Sequence, residues 1–222
     1  LFDAEGNGMR LYLRPLKNPQ FIQDNPFMRN EDACKLMLNL KKLYDDSVPT
    51  YDLKRIVIHK TTFFTKEEME GITRGLAGLE DIELLQIQEF TPWRAIRYNS
   101  SDMRDISNFP IQRGTVIQLN KDTFLIWTHG VVQDDELGGR KINYYKNGRG
   151  IPAPLLIKRF MGKADGATLA NEIMMLTKMN WNSGDSFYKV LPVTLDFAKI
   201  LSKIAKQDVV IYDKPYDFRY FM

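Results

Sequence analysis

The hydrophobic pattern is sharpest at Arg55-Ile56-Val57-Ile58-His59-Lys60, an apolar β-branched run bounded by charge and followed by Thr61-Thr62-Phe63-Phe64. It predicts a buried strand that feeds a helix through a short loop. Thr65 and Glu68 have the T-x-x-E spacing of a capping box, and Gly75 and Gly78 bring that helix to an end. Upstream, Met9, Leu11 and Leu13 alternate with Arg10, Tyr12 and Arg14, predicting a strand over 8–15 that runs into a Pro/Asn loop. Asn30 is placed to cap a helix over 31–46, whose Ala33, Leu36, Met37, Leu40, Leu43 and Tyr44 keep the i, i+3, i+4, i+7 rule. Strands follow over 82–89, 115–119 and 123–128, the last two joined by Asn120-Lys121-Asp122 as a tight hairpin, and another over 154–160. Helices over 167–179 and 194–206 finish the pattern, before a tail rich in tyrosine and phenylalanine. Strand, helix, strand, helix is the signature of an α/β fold.

Several small constellations have bland explanations that outweigh the sharp ones. Gly162-Lys163-Ala164-Asp165-Gly166-Ala167-Thr168 has the residue types of a phosphate loop but not the G-x-x-x-x-G-K-[ST] order, and reads as a strand-to-helix turn. Gly71-Ile72-Thr73-Arg74-Gly75 reads as a helix end. His129, between Thr128 and Gly130, reads first as a hydrogen-bonded turn histidine, with nucleic-acid contact the lesser option. Asp45-Asp46 and Asp134-Asp135-Glu136 read as solvated charge.

Composition changes the picture chiefly by exclusion. The 222 residues, 44% hydrophobic and 27% charged, suffice for a real core, and no repeat or linker divides them, so one domain is expected over 1–222. No apolar run nears the ~20 residues that cross a bilayer, and no signal peptide opens the chain, so the expected setting is cytoplasmic, with no membrane partner. The opening Leu1-Phe2 reads as the later part of a longer polypeptide. One cysteine, Cys34, excludes an internal disulfide framework, and with two histidines it is too little for a zinc site. The net charge of +3 is uneven: residues 140–206 hold 12 Lys/Arg against 4 Asp/Glu. On charge alone that excess fits equally a soluble surface with randomly segregated charge and, as the sharper reading, a nucleic-acid-binding face.

The order of motifs resembles the PIWI domain of Argonaute proteins. The segments that carry the likeness are Arg55 to Lys60, Phe124-Leu125-Ile126-Trp127-Thr128-His129-Gly130, Arg149-Gly150-Ile151-Pro152-Ala153-Pro154-Leu155, Leu176-Thr177-Lys178-Met179-Asn180-Trp181-Asn182, and Leu191-Pro192-Val193-Thr194. They occur in family order across nearly the whole chain. The resemblance implies a ribonuclease-H-like fold, a mixed central sheet flanked by helices, without its first strand or strands and the preceding MID domain. It is most similar to the short prokaryotic branch, which keeps the nucleic-acid scaffold without the slicing centre.

Departures from the active family pattern set the expected mechanism. Slicing needs acidic groups, or a terminal histidine, converging on two magnesium ions. Here the third tetrad position falls on Thr61, and the last aligns near Phe197 or Lys199, beside Asp196. The resemblance therefore implies no nuclease activity. It implies binding of a guide RNA and a complementary single-stranded DNA through Lys60, Lys178, Asn180, Asn182, Ser183, Lys189 and Thr194. The terminal carboxylate of Met222 would help hold a magnesium ion on the guide 5′ phosphate. The implied partner is an APAZ-containing effector with a TIR or sirtuin-like NAD-consuming domain, acting against plasmids or phage. The alternatives are an active ribonuclease-H-type nuclease that uses Asp196, and a structural α/β interaction module.

Overall fold

A computed structural model describes residues 1–2, 8, 10–16, 18–99, 103–129, 144–145, 150–178, 190–205 and 212–217. The elements in chain order are β1 (Arg10–Leu13), β2 (Gln20–Ile22), β3 (Asn25–Phe27), α1 (Asn30–Ser47), β4 (Arg55–Lys60), α2 (Lys66–Gly75) and β5 (Asp81–Gln88). They continue with β6 (Val116–Asn120), β7 (Thr123–Ile126), β8 (Leu155–Met161), α3 (Gly166–Lys178), α4 (Val193–Ala205) and β9 (Lys214–Asp217). Five strands are hydrogen-bonded in the order β4-β5-β8-β7-β6. The sheet is mixed, because β4 and β5 run parallel while β7 is antiparallel to both β6 and β8. The expected α/β class, a mixed sheet with helices, is what the chain adopts.

Contacts divide the chain into two compact units. The first comprises 1–86, 159–164 and 194–222, and the second 87–158 and 165–193.

In the first unit α1 and α2 pack on β5, burying Ala33, Met37, Phe64, Ile72, Leu76, Ile82 and Leu84 together. Glycines let the two helices approach. A Cβ on Gly71 would lie 2.3 Å from the Asn30 carbonyl oxygen, and one on Gly75 2.5 Å from that of Cys34. The capping box forms in full: the Thr65 hydroxyl accepts from the Glu68 amide and the Glu68 carboxylate from the Thr65 amide. Asn30 does not cap. Arg29 holds the cap position with extended backbone, and Asn30 begins the helix, its Nδ2 donating to Glu70 at 3.5 Å. Asp45 and Asp46 lie exposed in the last turn of α1, where charge is solvated. β4 is half-buried along its length rather than buried, because it ends the strand order.

Three strands lie where none was expected. β2 and β3 form a hairpin whose turn residues Gln23 and Asp24 take φ of 48° and 61°, the left-handed pair of a type I′ turn without glycine. β9 comes from the aromatic tail and pairs antiparallel with β1.

The loop after β8 is latched by a buried carboxylate. Glu83, fully buried in β5, accepts from the amides of Lys163 and Ala164 at 2.6 and 2.7 Å. Gly162 makes the approach possible: its φ is +128°, and a Cβ there would lie 1.8 Å from Glu83 Oε2. The amides that could have cradled a phosphate are thus spent on the protein's own anion. Asp165 then caps α3, its carboxylate accepting from the amides of Ala167 and Thr168 and from the Thr168 hydroxyl. The segment is the strand-to-helix turn that its residue order implied.

Gly162→Ala should cost about 3 kcal/mol or more in urea unfolding, because it adds backbone strain and breaks charge-assisted bonds to a buried carboxylate. Lys163→Ala, one residue on, should change stability by less than about 0.5 kcal/mol, since only its amide is used.

Candidate nucleic-acid interface

In the first unit the candidate surface is the carboxyl end of β4. His59 presents Nδ1 to the Thr194 hydroxyl of α4 at 2.8 Å, and burial lowers its pKa to about 4. The ring is neutral near pH 7. It is a positioning contact for the start of α4 and contributes no charge.

Lys60 sits in a different setting from the one expected of a strand contact. Its ammonium donates to both Glu68 oxygens, at 2.6 and 2.7 Å, and to the Phe63 carbonyl at 3.2 Å. It also lies 4.4 Å from the centroid of the Phe27 ring and 5.4 Å from that of Phe64. Burial depresses its pKa, while the Glu68 carboxylate opposes that shift. A lysine has three donors. All three are committed to protein acceptors, so a phosphate reaching Lys60 competes with a partly buried ion pair.

Thr61 follows as an exposed residue at the strand end, its carbonyl accepting from Gln86 Nε2 at 3.2 Å. A threonine hydroxyl stays protonated at neutral pH and does not replace a carboxylate ligand. Among the described residues no three His, Cys, Asp or Glu side chains are placed to share a metal ion. Phe197 is buried, with its ring 6.3 Å from that of Phe2, and Lys199 and Asp196 are half-buried in α4 with partners of their own. These side chains do not fit a two-metal centre.

Of the remaining expected contacts, Thr194 is placed in the first turn of α4, and Lys178 ends α3 with its side chain outside the described part. Asn180, Asn182, Ser183, Lys189 and Met222 lie outside the described residues.

In the second unit the carboxyl ends of β5 and β7 open onto a cavity of about 770 Å³. Arg113 ties together the elements that lead to it. Nε donates to the Thr128 carbonyl at 2.7 Å and Nη2 to the Thr177 hydroxyl of α3 at 2.8 Å, while the Thr128 hydroxyl donates to the Val190 carbonyl at 2.6 Å. The indole of buried Trp127 donates at 3.1 Å to the carbonyl of Pro152, which lines the cavity. His129 follows Thr128 into the cavity. It is not the hydrogen-bonded turn histidine expected, since its buried Nδ1 has no partner among the described residues, and burial lowers its pKa. The cavity was missed in the sequence. Its signal was Phe90-Thr91-Pro92-Trp93-Arg94, an aromatic and basic cluster just past a strand.

Comparison with solved structures accounts for this arrangement. The chain superposes on an Argonaute of Clostridium butyricum bound to a guide DNA and a 19-mer target DNA, with a TM-score of 0.67 and 19% identity over 96% of its residues. This is the PIWI-like, ribonuclease-H-like fold of the Argonautes. An Aquifex aeolicus Argonaute gives a TM-score of 0.61 at 18% identity, and another structure from that organism, with externally bound siRNA, gives 0.58 at 20%; each covers 89% of the chain. The chain spans 25%, 25% and 24% of the three Argonaute chains respectively. No protein-family model and no curated protein matches. The PIWI-like fold places the exposed Thr61 and the His129 cavity at carboxyl ends of strands, where open α/β sheets bind ligands.

The role of Lys60 can be decided by stability. Glu68→Ala should lose about 3–5 kcal/mol in urea unfolding, because it strands a partly buried ammonium and removes the carboxylate half of the α2 capping box. Lys60→Met should lose less, about 1–3 kcal/mol, since two backbone amides still satisfy the carboxylate. A Lys60→Met protein of unchanged stability but weakened strand binding would return Lys60 to the contact surface.

Proposed function

We propose that this PIWI-like chain binds a guide strand and presents it for pairing with a complementary single strand, without cutting either. The observation that carries the reading is the match over 96% of the chain to an Argonaute that holds a guide and a target. The excess of 12 Lys/Arg over 4 Asp/Glu in residues 140–206 supports it, because cations and amides bind phosphate oxygens without reading sequence. Sequence is then read by base pairing. The absence of cutting is supported by Thr61, which offers a hydroxyl where the family's metal centre needs a carboxylate.

The finer reading is an RNA guide and a single-stranded DNA target. A bound duplex would signal to an APAZ-containing effector with a TIR or sirtuin-like domain, in defence against plasmids or phage. Lys178, Asn180, Asn182, Ser183, Lys189 and Thr194 form the backbone contacts in this reading. The Met222 carboxylate serves a magnesium ion at the guide 5′ phosphate. Hard oxygen donors suit that ion.

Guide-loaded full-length protein should leave a matched strand intact with magnesium or manganese. Cleavage opposite the guide that Asp196→Ala abolishes would contradict this. Lys178→Ala with Lys189→Ala should weaken binding alike for all guide sequences and flatten the salt dependence by about 0.7 per lost phosphate contact. An unchanged slope places the backbone contacts elsewhere.

A further inference from the structure

The cavity of the second unit is built for something other than a phosphate backbone. Its about 770 Å³ lies within the roughly 300–1,000 Å³ of small-molecule sites. Arg94 and Glu89 both line it, so cation and carboxylate offset each other and the interior favours a neutral guest over an anion. The Arg94 bonds to the Thr91 and Trp93 carbonyls both leave from Nη1. Phe90, on the lining, is 96% exposed, an aromatic face held out with little packed against it. Tyr144, on the lining too, is anchored by its amide, which donates to the Asn108 carbonyl at 2.9 Å. The buried Nδ1 of His129 lacks a partner among the described residues, and such an orphan recovers free energy when a guest supplies one.

We propose that this cavity takes the base of one nucleotide, stacked on Phe90 and hydrogen-bonded along its edge to His129. A planar, neutral heteroaromatic ring with donors and acceptors on its rim meets all of these features together. The ring of His129, kept neutral by burial, can donate from one nitrogen and accept at the other. When the base belongs to a strand, the inference rests on the nucleic-acid binding proposed above. A free nucleotide offers the same chemistry.

The test uses full-length protein and three probes: a labelled single-stranded DNA, a strand of equal length built of abasic units, and AMP or UMP alone. Wild-type protein should bind the base-bearing strand more tightly than the abasic one. Phe90→Ala and His129→Phe should each weaken the base-bearing strand about five- to a hundredfold and leave the abasic strand unaffected. Phe90→Ala should keep the wild-type melting temperature, because its ring is 96% exposed, so a loss of binding there is not a loss of fold. Equal binding of the base-bearing strand by variants and wild type would overturn the pocket and leave guide binding standing, as would parallel losses on both strands. Binding of AMP or UMP that Phe90→Ala abolishes, with no strand bound, would uphold the pocket for a free nucleotide and overturn the guide reading. No binding of any probe would overturn both.

Discussion

The carboxylate of Glu68 ties the first unit together. Its residue is fully buried, and it accepts from the Lys60 ammonium, the Thr65 amide and, at 3.1 Å, the Met28 amide. A carboxylate withdrawn from water is tolerated only when its lone pairs are filled, and here three separate stretches of chain fill them. The end of β4, the start of α2 and the segment past β3 are therefore fixed by one group. The same carboxylate engages the Lys60 ammonium, while Thr61 at that strand end is exposed.

Glu83 repeats the device one strand over, holding the loop after β8 through two amides and leaving Gly162 no room for a side chain. The first unit thus uses its buried acids as structural anchors. The second unit is organised by a cation instead. Arg113 reaches from the loop before β6 to the end of β7 and to α3, and the geometry it imposes carries His129 into the cavity with Nδ1 unsatisfied. Among the described residues Asn30 Oδ1, Glu83 Oε2 and His129 Nδ1 are buried without a hydrogen-bond partner, and of these three residues His129 lines the cavity, where a ligand can supply what the protein does not.

What the sequence disclosed followed from local rules. The capping box, the β6–β7 hairpin, the periodic helix α1 and the central strand β5 each depend on residues a few positions apart. The hairpin of β2 and β3 was hidden because its left-handed turn uses Gln23 and Asp24 where glycine or asparagine would have signalled it. β9 was hidden because its partner β1 lies some two hundred residues away, as Tyr12 and Asp213 show by their hydrogen bond at a separation of 201. The pairing of Lys60 with Glu68 was hidden for a similar reason. Lys60 ends β4 and Glu68 lies in α2, so no single helical or strand period relates them and the pair exists only once the loop between has turned. The cavity needed three strand ends brought together, although its aromatic cluster was in plain view.

The central claim is that nucleic acid meets this chain at the carboxyl ends of its strands. Amide hydrogen exchange on the full-length protein, with and without a guide-length single strand, measures it directly. The account predicts slowed exchange at residues 59–62, 89–94 and 127–129 and at the start of α4, with β6 unchanged. Slowing confined to β6 or to the β1–β9 pair, with those segments exchanging as in the free protein, would contradict it.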